Sequence, residues 1–378
     1  MSNGQPRADR TRARVVLAMP APGCETPDVA FPAKRNRFDA AKTRRTGPLR
    51  NRPLSPPGRG ICRLCRGARR GRPAGADPET RPGTLEPLAR ITLPGKGFGL
   101  ALDDAADRLY ITDATDASVT VVDTATSTVT GQVRLADKTT DEEGRTGFPF
   151  HCRELALDTI AGKLYAPCHS MQDSVLCVID TARLEVEARL TGFGFVATGI
   201  ATDPSRQRLF ISNAEGQVIT VATDMPQITR TVATAGDQLM NIALDPAGGR
   251  VFATDQGHEF FETLWARHLP GYSRKGSGNQ LLVLDAETGA TIRQIPTGAG
   301  PLAVLYDAGR QLICVTERSG AAVGLFDSES YALKDRITLE GHPNSLALDD
   351  RNGILYVTTK QGETGRPEET DLVARIAL

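Results

Sequence analysis

One phrase recurs six times between residues 99 and 376, and it constrains the fold more than any other feature of the chain. It consists of small and apolar residues ending in Asp, a short polar turn, an apolar-aromatic strand, and a Val/Leu-rich strand. The first copy reads Gly99-Leu-Ala-Leu-Asp103, Arg108-Leu-Tyr-Ile-Thr112 and Val119-Thr-Val-Val-Asp123, and the sixth reads Leu346-Ala-Leu-Asp349, Ile354-Leu-Tyr-Val-Thr358 and Leu372-Val-Ala-Arg-Ile376. The copies are anchored by Asp103, Asp158, Asp203, Asp245, Asp307 and Asp349, at spacings of 55, 45, 42, 62 and 42 residues. A floor near 42 with occasional insertions is the period of a propeller blade. Several copies continue into a fourth strand, at 130–135, 186–190, 291–295 and 333–337. Four short antiparallel strands cannot bury both faces alone, so the units must stack radially. The expected fold is all-β, a β-propeller with six legible four-stranded blades. The recurrent Asp reads as structural, its carboxylate accepting the backbone N–H groups of an Asx turn, and not as a set of catalytic acids.

The propeller is expected over residues 86–378, preceded by a disordered basic segment at 1–85. That head carries 19 Lys and Arg against 6 Asp and Glu, a balance of +13, which leaves 26 against 39, or −13, for the remainder of a chain of zero net charge. It is rich in Pro, Gly and Arg and has almost no apolar periodicity, so it cannot bury enough surface to offset the entropy of ordering. Its one apolar run, Val15 to Met19, is broken by Pro20 and Pro22 and is too short for a secretory leader. No stretch approaches transmembrane length. The segment Leu88-Ala-Arg-Ile-Thr-Leu93 looks like a fourth strand without the preceding three. It either joins the last three strands of the chain and closes a six-bladed ring, or is the outer strand of a seventh blade whose inner strands lie upstream.

Leu109-Tyr-Ile-Thr112 and Leu355-Tyr-Val-Thr-Thr359 resemble the YVTN signature of bacterial propellers. Gly341-His-Pro-Asn-Ser-Leu-Ala-Leu348, with the ending Arg375-Ile-Ala-Leu378, is similar to the last blade of the YncE family, and Arg153-Glu-Leu155, Thr198-Gly-Ile-Ala201, Asn241-Ile-Ala-Leu244 and Leu302-Ala-Val-Leu305 match its other blade starts. The resemblance covers about residues 78 to 378. It implies a seven-bladed propeller, exported to the periplasm, without established catalytic activity and with a suggested capacity to bind single-stranded DNA. The chain departs from the family at its start, where a signal peptide and a whole first blade are expected. Residues 1 to about 80 are read as an out-of-frame translation in their place.

In an antiparallel meander the second-to-third turns and the blade-to-blade connections share one face. The long segments 136–152, 256–279 and 360–370 all fall on it, whereas the opposite turns, such as 103–107 and 245–249, are tight. Elaborated loops on a rigid scaffold are where function concentrates, so this face is expected to bind the ligand. The insertion 256–279 holds Phe261 and Trp265 among several cations, a composition suited to stacking on bases or sugars; the alternative is a lid packed on the blade below. Residues entering the first strands point to the channel mouth, which makes Arg153, Thr198, Asn241, His342 and Asn344 candidate ligand contacts, with hydrogen bonds between blades as the alternative. Cys152 and Cys168 flank a hairpin that sets them nearly opposite, within disulfide reach, and neighbouring His151 and His169 leave a Cys/His metal site open as the other reading.

No catalytic residue, cofactor or resident metal is expected: the chain has no G-x-S-x-G elbow, Walker loop or H-E-x-x-H. The single Trp265 argues against a quinoprotein ring, whose blades carry repeated Trp. The expectation is a monomeric, non-catalytic binding protein, taking single-stranded DNA or an envelope protein on the long-loop face. The acidic body argues against nonspecific nucleic-acid affinity, which depends on phosphate neutralisation. A calcium-dependent lactonase-like hydrolase, with Glu154, Asn241 and Asn344 as oxygen ligands, is the alternative.

Overall fold

A computed structural model describes residues 16–18, 61–65, 85, 89–141, 144–360 and 371–378. Six blades succeed one another along the chain. Their inner strands are Gly97–Asp103, Ala156–Asp158, Gly199–Asp203, Leu239–Asp245, Pro301–Asp307 and His342–Asp349. In blades 1 to 5 the strands pair in chain order, each with the next, out to a fourth strand; blade 6 has three among the described residues, ending in Leu372–Ala377. Blade 2 carries a split inner edge, with His151–Cys152 as an additional short strand on Lys163–His169. The all-β expectation thus holds, and so do its six blades.

The core lies between blades, as radial stacking requires. Tyr110, Val119 and Val121 of blade 1 pack with Leu164, Cys177 and Ile179 of blade 2. The same pattern joins Phe210 to Val251 and Leu282, Phe252 to Ile313 and Val315, and Cys314 to Leu355 and Val357. These are the apolar-aromatic positions of the second and third strands in the repeated phrase. The anchoring Asp does what its place before a turn suggests: the amides of Ile160 and Ala161 donate to Asp158, that of Gly248 to Asp245, that of Gly309 to Asp307 and that of Asn352 to Asp349. In blade 3 the carboxylate of Asp203 is held instead by Arg206 and Arg208.

The Thr that ends the second strand ties neighbouring blades together in two sectors. Thr112 Oγ1 accepts the Gly99 amide of its own blade at 2.8 Å and donates to the Arg153 carbonyl of the next at 2.7 Å. Thr254 repeats this, accepting from Asn241 N and donating to Leu302 O.

Residues 89–92 decide between the two readings of the isolated strand. They pair with Ile61–Cys65, which pairs with Val16–Ala18, and not with the C-terminal strand. This three-stranded sheet stands between the sixth and first blades: residues 16–18 pack on Ile354–Lys360 and Leu372–Ala377, while Ile91 and Leu93 join Leu109, Ile111 and Val122. Strands therefore occur within the head, including its one apolar run. The remaining residues of 1–85, and the readings made on them, lie outside the described residues.

Candidate functional site

The insertion 256–279 is not a loop throughout: Glu259–His268 is an α-helix. Its local chemistry accounts for it. His258 caps the N-terminus by accepting the Phe260 amide, Glu259 and Glu262 sit in the first turn, and Arg267 and His268 sit in the last, each complementing the helix dipole. Phe261, Leu264 and Trp265 recur at helical spacing and are buried against Phe195, Val196 and Met240. Trp265 Nε1 donates to Ala214 O at 2.9 Å, and its ring lies 4.9 Å from that of Tyr272. The buried Asp237 carboxylate fastens the segment by accepting from Tyr272 Oη, Lys275 N and Gly276 N. Phe261 and Trp265 thus take the packing alternative. Burial of their rings against the blades below is the physical reason they do not stand at the surface as stacking platforms.

The candidates at the first strands mostly converge. Arg153, Thr198, Asn241 and Asn344 line one pocket at the channel mouth, together with Phe98 and Glu154. The four come from blades 2, 3, 4 and 6 and meet because each begins an inner strand. Their roles differ. Thr198 Oγ1 is buried and donates to Met240 O at 2.9 Å, a tie between blades. Asn344 Oδ1 accepts from Arg318 Nη1 at 3.1 Å. Arg153 stacks its guanidinium 4.3 Å from the centre of the Phe98 ring. His342 lies outside this lining, with Nδ1 at 3.2 Å from the Arg318 carbonyl. Of the long segment 360–370, residues 361–370 lie outside the described residues.

Several residues of the site escaped the sequence reading. Phe98, Arg318 and Lys360 sit at the start of an inner strand or at the end of a second strand. Strand pairing brings those ends together, as His342 opposite Lys360 shows. Lys360 Nζ lies 5.6 Å from the Phe98 ring centre. Burial, reinforced by the positive charges of Arg318, Arg153 and Lys96, pushes its ammonium down to about 8. Burial likewise lowers the Arg153 guanidinium and raises the Glu154 carboxyl, although each is partly held back by the other.

Cys152 and Cys168 form a disulfide, in register across the split edge of blade 2. His151 and His169 lie beside it with ring centres 5.9 Å apart. Burial, with Arg153 and His151 adding to it, pushes the His169 imidazole down to about 3. With both sulfurs bonded to each other, the Cys/His donor set for a metal is not formed. A calcium site is not supported by the donors either: Glu154 is the one carboxylate lining the mouth pocket among the described residues, and it is set beside Arg153.

Comparison with known proteins gives a consistent result. The "Uncharacterized protein YncE" of Salmonella typhi is 30% identical over 303 residues, spanning 79% of each chain. The protein of the same name from Escherichia coli K12 shows the same identity and coverage. No family model matches the chain. Among solved structures, Kuenenia stuttgartiensis hydrazine synthase superposes with a TM-score of 0.61 at 14% identity, covering 78% of this chain and 87% of that one. The WD40 β-propeller domain of Doa1 superposes with a TM-score of 0.53 at 13% identity, covering 71% and 76%. At such identities these two show the fold alone.

Proposed function

Since the chain belongs to the YncE family, we propose that it is a non-catalytic binding protein of the bacterial periplasm that takes its ligand at the mouth of the propeller channel. The observation that carries this reading is the convergence of Arg153, Asn241 and Asn344, from three blades, on one pocket. Amide groups and a guanidinium on a rigid ring are a recognition surface, with no paired nucleophile and base among them. The Cys152–Cys168 disulfide supports an oxidising compartment.

The ligand that suits this surface best is anionic, and single-stranded DNA is the one we propose. Its phosphates would meet Arg153, Arg318 and Lys360 where the body is otherwise acidic, a local patch against the overall charge. The test is fluorescence anisotropy of a labelled oligonucleotide at low and high salt. Binding that weakens with salt and is lost in Arg153→Gln or Asn344→Ala supports the reading. Binding unchanged in both variants overturns it, as does capture of an envelope protein on this face with no oligonucleotide affinity.

A further inference from the structure

Each blade approaches the channel through the same two positions, five and four residues before its anchoring Asp. In chain order the first position holds Phe98, Arg153, Thr198, Met240, Leu302 and Asn344, and the second holds Gly99, Glu154, Gly199, Asn241, Ala303 and Ser345. All of them except the two glycines line the mouth pocket. Arg153 and Glu154, side by side in blade 2, are the only charged residues among the twelve. The other blades fold with Gly, Asn, Ala or Ser where blade 2 has Glu154, so the ring itself has no need of a carboxylate there. The inner edge of blade 2 is also irregular at this point. Between Cys152, opposite Cys168, and Ala156, opposite Tyr165, three residues stand against two of the second strand. Such an extra residue is a bulge, a device that re-aims side chains beside binding sites.

The fold leaves Glu154 without a partner. Its carboxylate makes no hydrogen bond or ion pair among the described residues, and the Arg153 side chain lies over the Phe98 ring instead of pairing with it. Most other polar groups at the two positions are engaged: Thr198 donates to Met240 O, and Asn344 meets Arg318 and Ser345. Asn241 is tied through its backbone alone, which leaves its side-chain amide to the pocket beside Glu154. A carboxylate drawn out of water without a donor is unfavourable. A ligand that brings an N–H group to Glu154 removes that cost.

We propose that Glu154 reads the bases of the bound strand, its carboxylate accepting the exocyclic amino group of cytosine, adenine or guanine and rejecting thymine, the one DNA base without such a group. The inference rests on the single-stranded DNA reading of the channel mouth and adds a sequence preference to it. Bases of a single strand are open to hydrogen bonding along their Watson–Crick edges. Cytosine presents its N4 amino donor where thymine presents the O4 acceptor, which would meet the carboxylate oxygen to oxygen. A site built to accept an N–H discriminates against the analogue that lacks it.

Fluorescence anisotropy at neutral pH, with labelled oligo(dC) and oligo(dT) of equal length, tests the proposal. The two carry the same phosphate charge and bases of the same ring size. The wild type is expected to bind oligo(dC) about tenfold more tightly than oligo(dT). In Glu154→Gln the two affinities should converge, because an amide both accepts from cytosine and donates to thymine. Glu154→Ser, which installs the residue that blade 6 carries at the same position, should also lose the preference; circular dichroism verifies that both variants are folded. The salt dependence of binding, which counts phosphate contacts, should be unchanged in Glu154→Gln and shallower in Arg153→Gln. Equal affinity of the wild type for both oligonucleotides, or a cytosine preference that survives in both Glu154 variants, overturns the proposal and leaves the single-strand reading standing. Absence of affinity for either oligonucleotide overturns that reading and the proposal with it.

Discussion

Lys360 ends a second strand with its ammonium largely buried, and folding should pay for that in a way that pH reveals. Lys360 is held down to about 8 in the folded protein, from an ordinary 10.5. The unfolded chain therefore binds the proton more tightly, and stability rises with pH between the two values. Below about 8 the side chain is charged in both states, and the penalty is the full difference, roughly 3 kcal/mol at about 1.36 kcal/mol per unit. At pH 9.5 the folded protein has released the proton while most unfolded chains retain it, and the penalty falls to about 1.4 kcal/mol. The wild type should thus gain about 2 kcal/mol on Lys360→Met between pH 7 and pH 9.5. Arg318, Arg153, Lys96, Asp371 and Glu154 face the same group; the difference between wild type and variant isolates Lys360 from them. Urea unfolding of both proteins at the two pH values, in buffer free of phosphate and sulfate, reads the effect as a change in the midpoint difference at constant slope. Parallel stability curves for wild type and Lys360→Met would refute the reasoning, since they would mean that the ammonium is already compensated within the fold.

Three further outcomes follow from the packing. Replacing Cys152 and Cys168 together by Ala should cost about 3 kcal/mol, the loop-closure entropy of an interval of 16 residues, measured by urea unfolding of the variant against the oxidised wild type. Trp265→Ala should cost about 3–5 kcal/mol in the same measurement, from lost burial beside Phe261 and Tyr272; a loss of oligonucleotide affinity without loss of stability would instead make Trp265 a ligand contact. Thr254→Val should cost about 1–3 kcal/mol, because it removes the hydroxyl that joins Asn241 N to Leu302 O across two blades.

What could be read from the sequence was what repeats. The anchoring Asp, the aromatic of the second strand and the Val/Leu run of the third recur because every blade solves the same packing problem. For the same reason the inner-strand starts, Arg153, Thr198, Asn241 and Asn344, could be placed at one mouth without any structure. The failures sit where the period is interrupted. Residues 256–279 look like a polar loop because the helix is short and its apolar stripe is three residues wide; the capping by His258 and the spacing of Phe261, Leu264 and Trp265 were the available signals. Arg318 and Lys360 went unseen for another reason. They end second strands, and only the register of the first hairpin carries such an end to the channel, as with Lys360 opposite His342. The partner of 89–92 could not be read either, because Ile61–Cys65 lies in a segment whose composition signals disorder.

The hydroxyl that ends the second strand tells how far the repeat carries into hydrogen bonding. At the end of the second strand Thr112 and Thr254 are each satisfied twice, by the amide of their own inner strand and by a carbonyl of the next blade, whereas Thr316 accepts the Ala303 amide of its own blade and the equivalent Ser212 Oγ is buried without a partner. Thr358 keeps the first half of that arrangement, accepting from Ser345 N at 3.1 Å. Among the described residues no carbonyl of a following inner strand takes the second half, and its neighbour Thr359 is left with a buried hydroxyl and no partner. Burying such groups without partners is unfavourable, and Ser212 and Thr359 each carry that cost near the end of a second strand. The hydrogen-bonded tie between neighbouring blades is thus a feature of particular blades and not of the repeat as a whole.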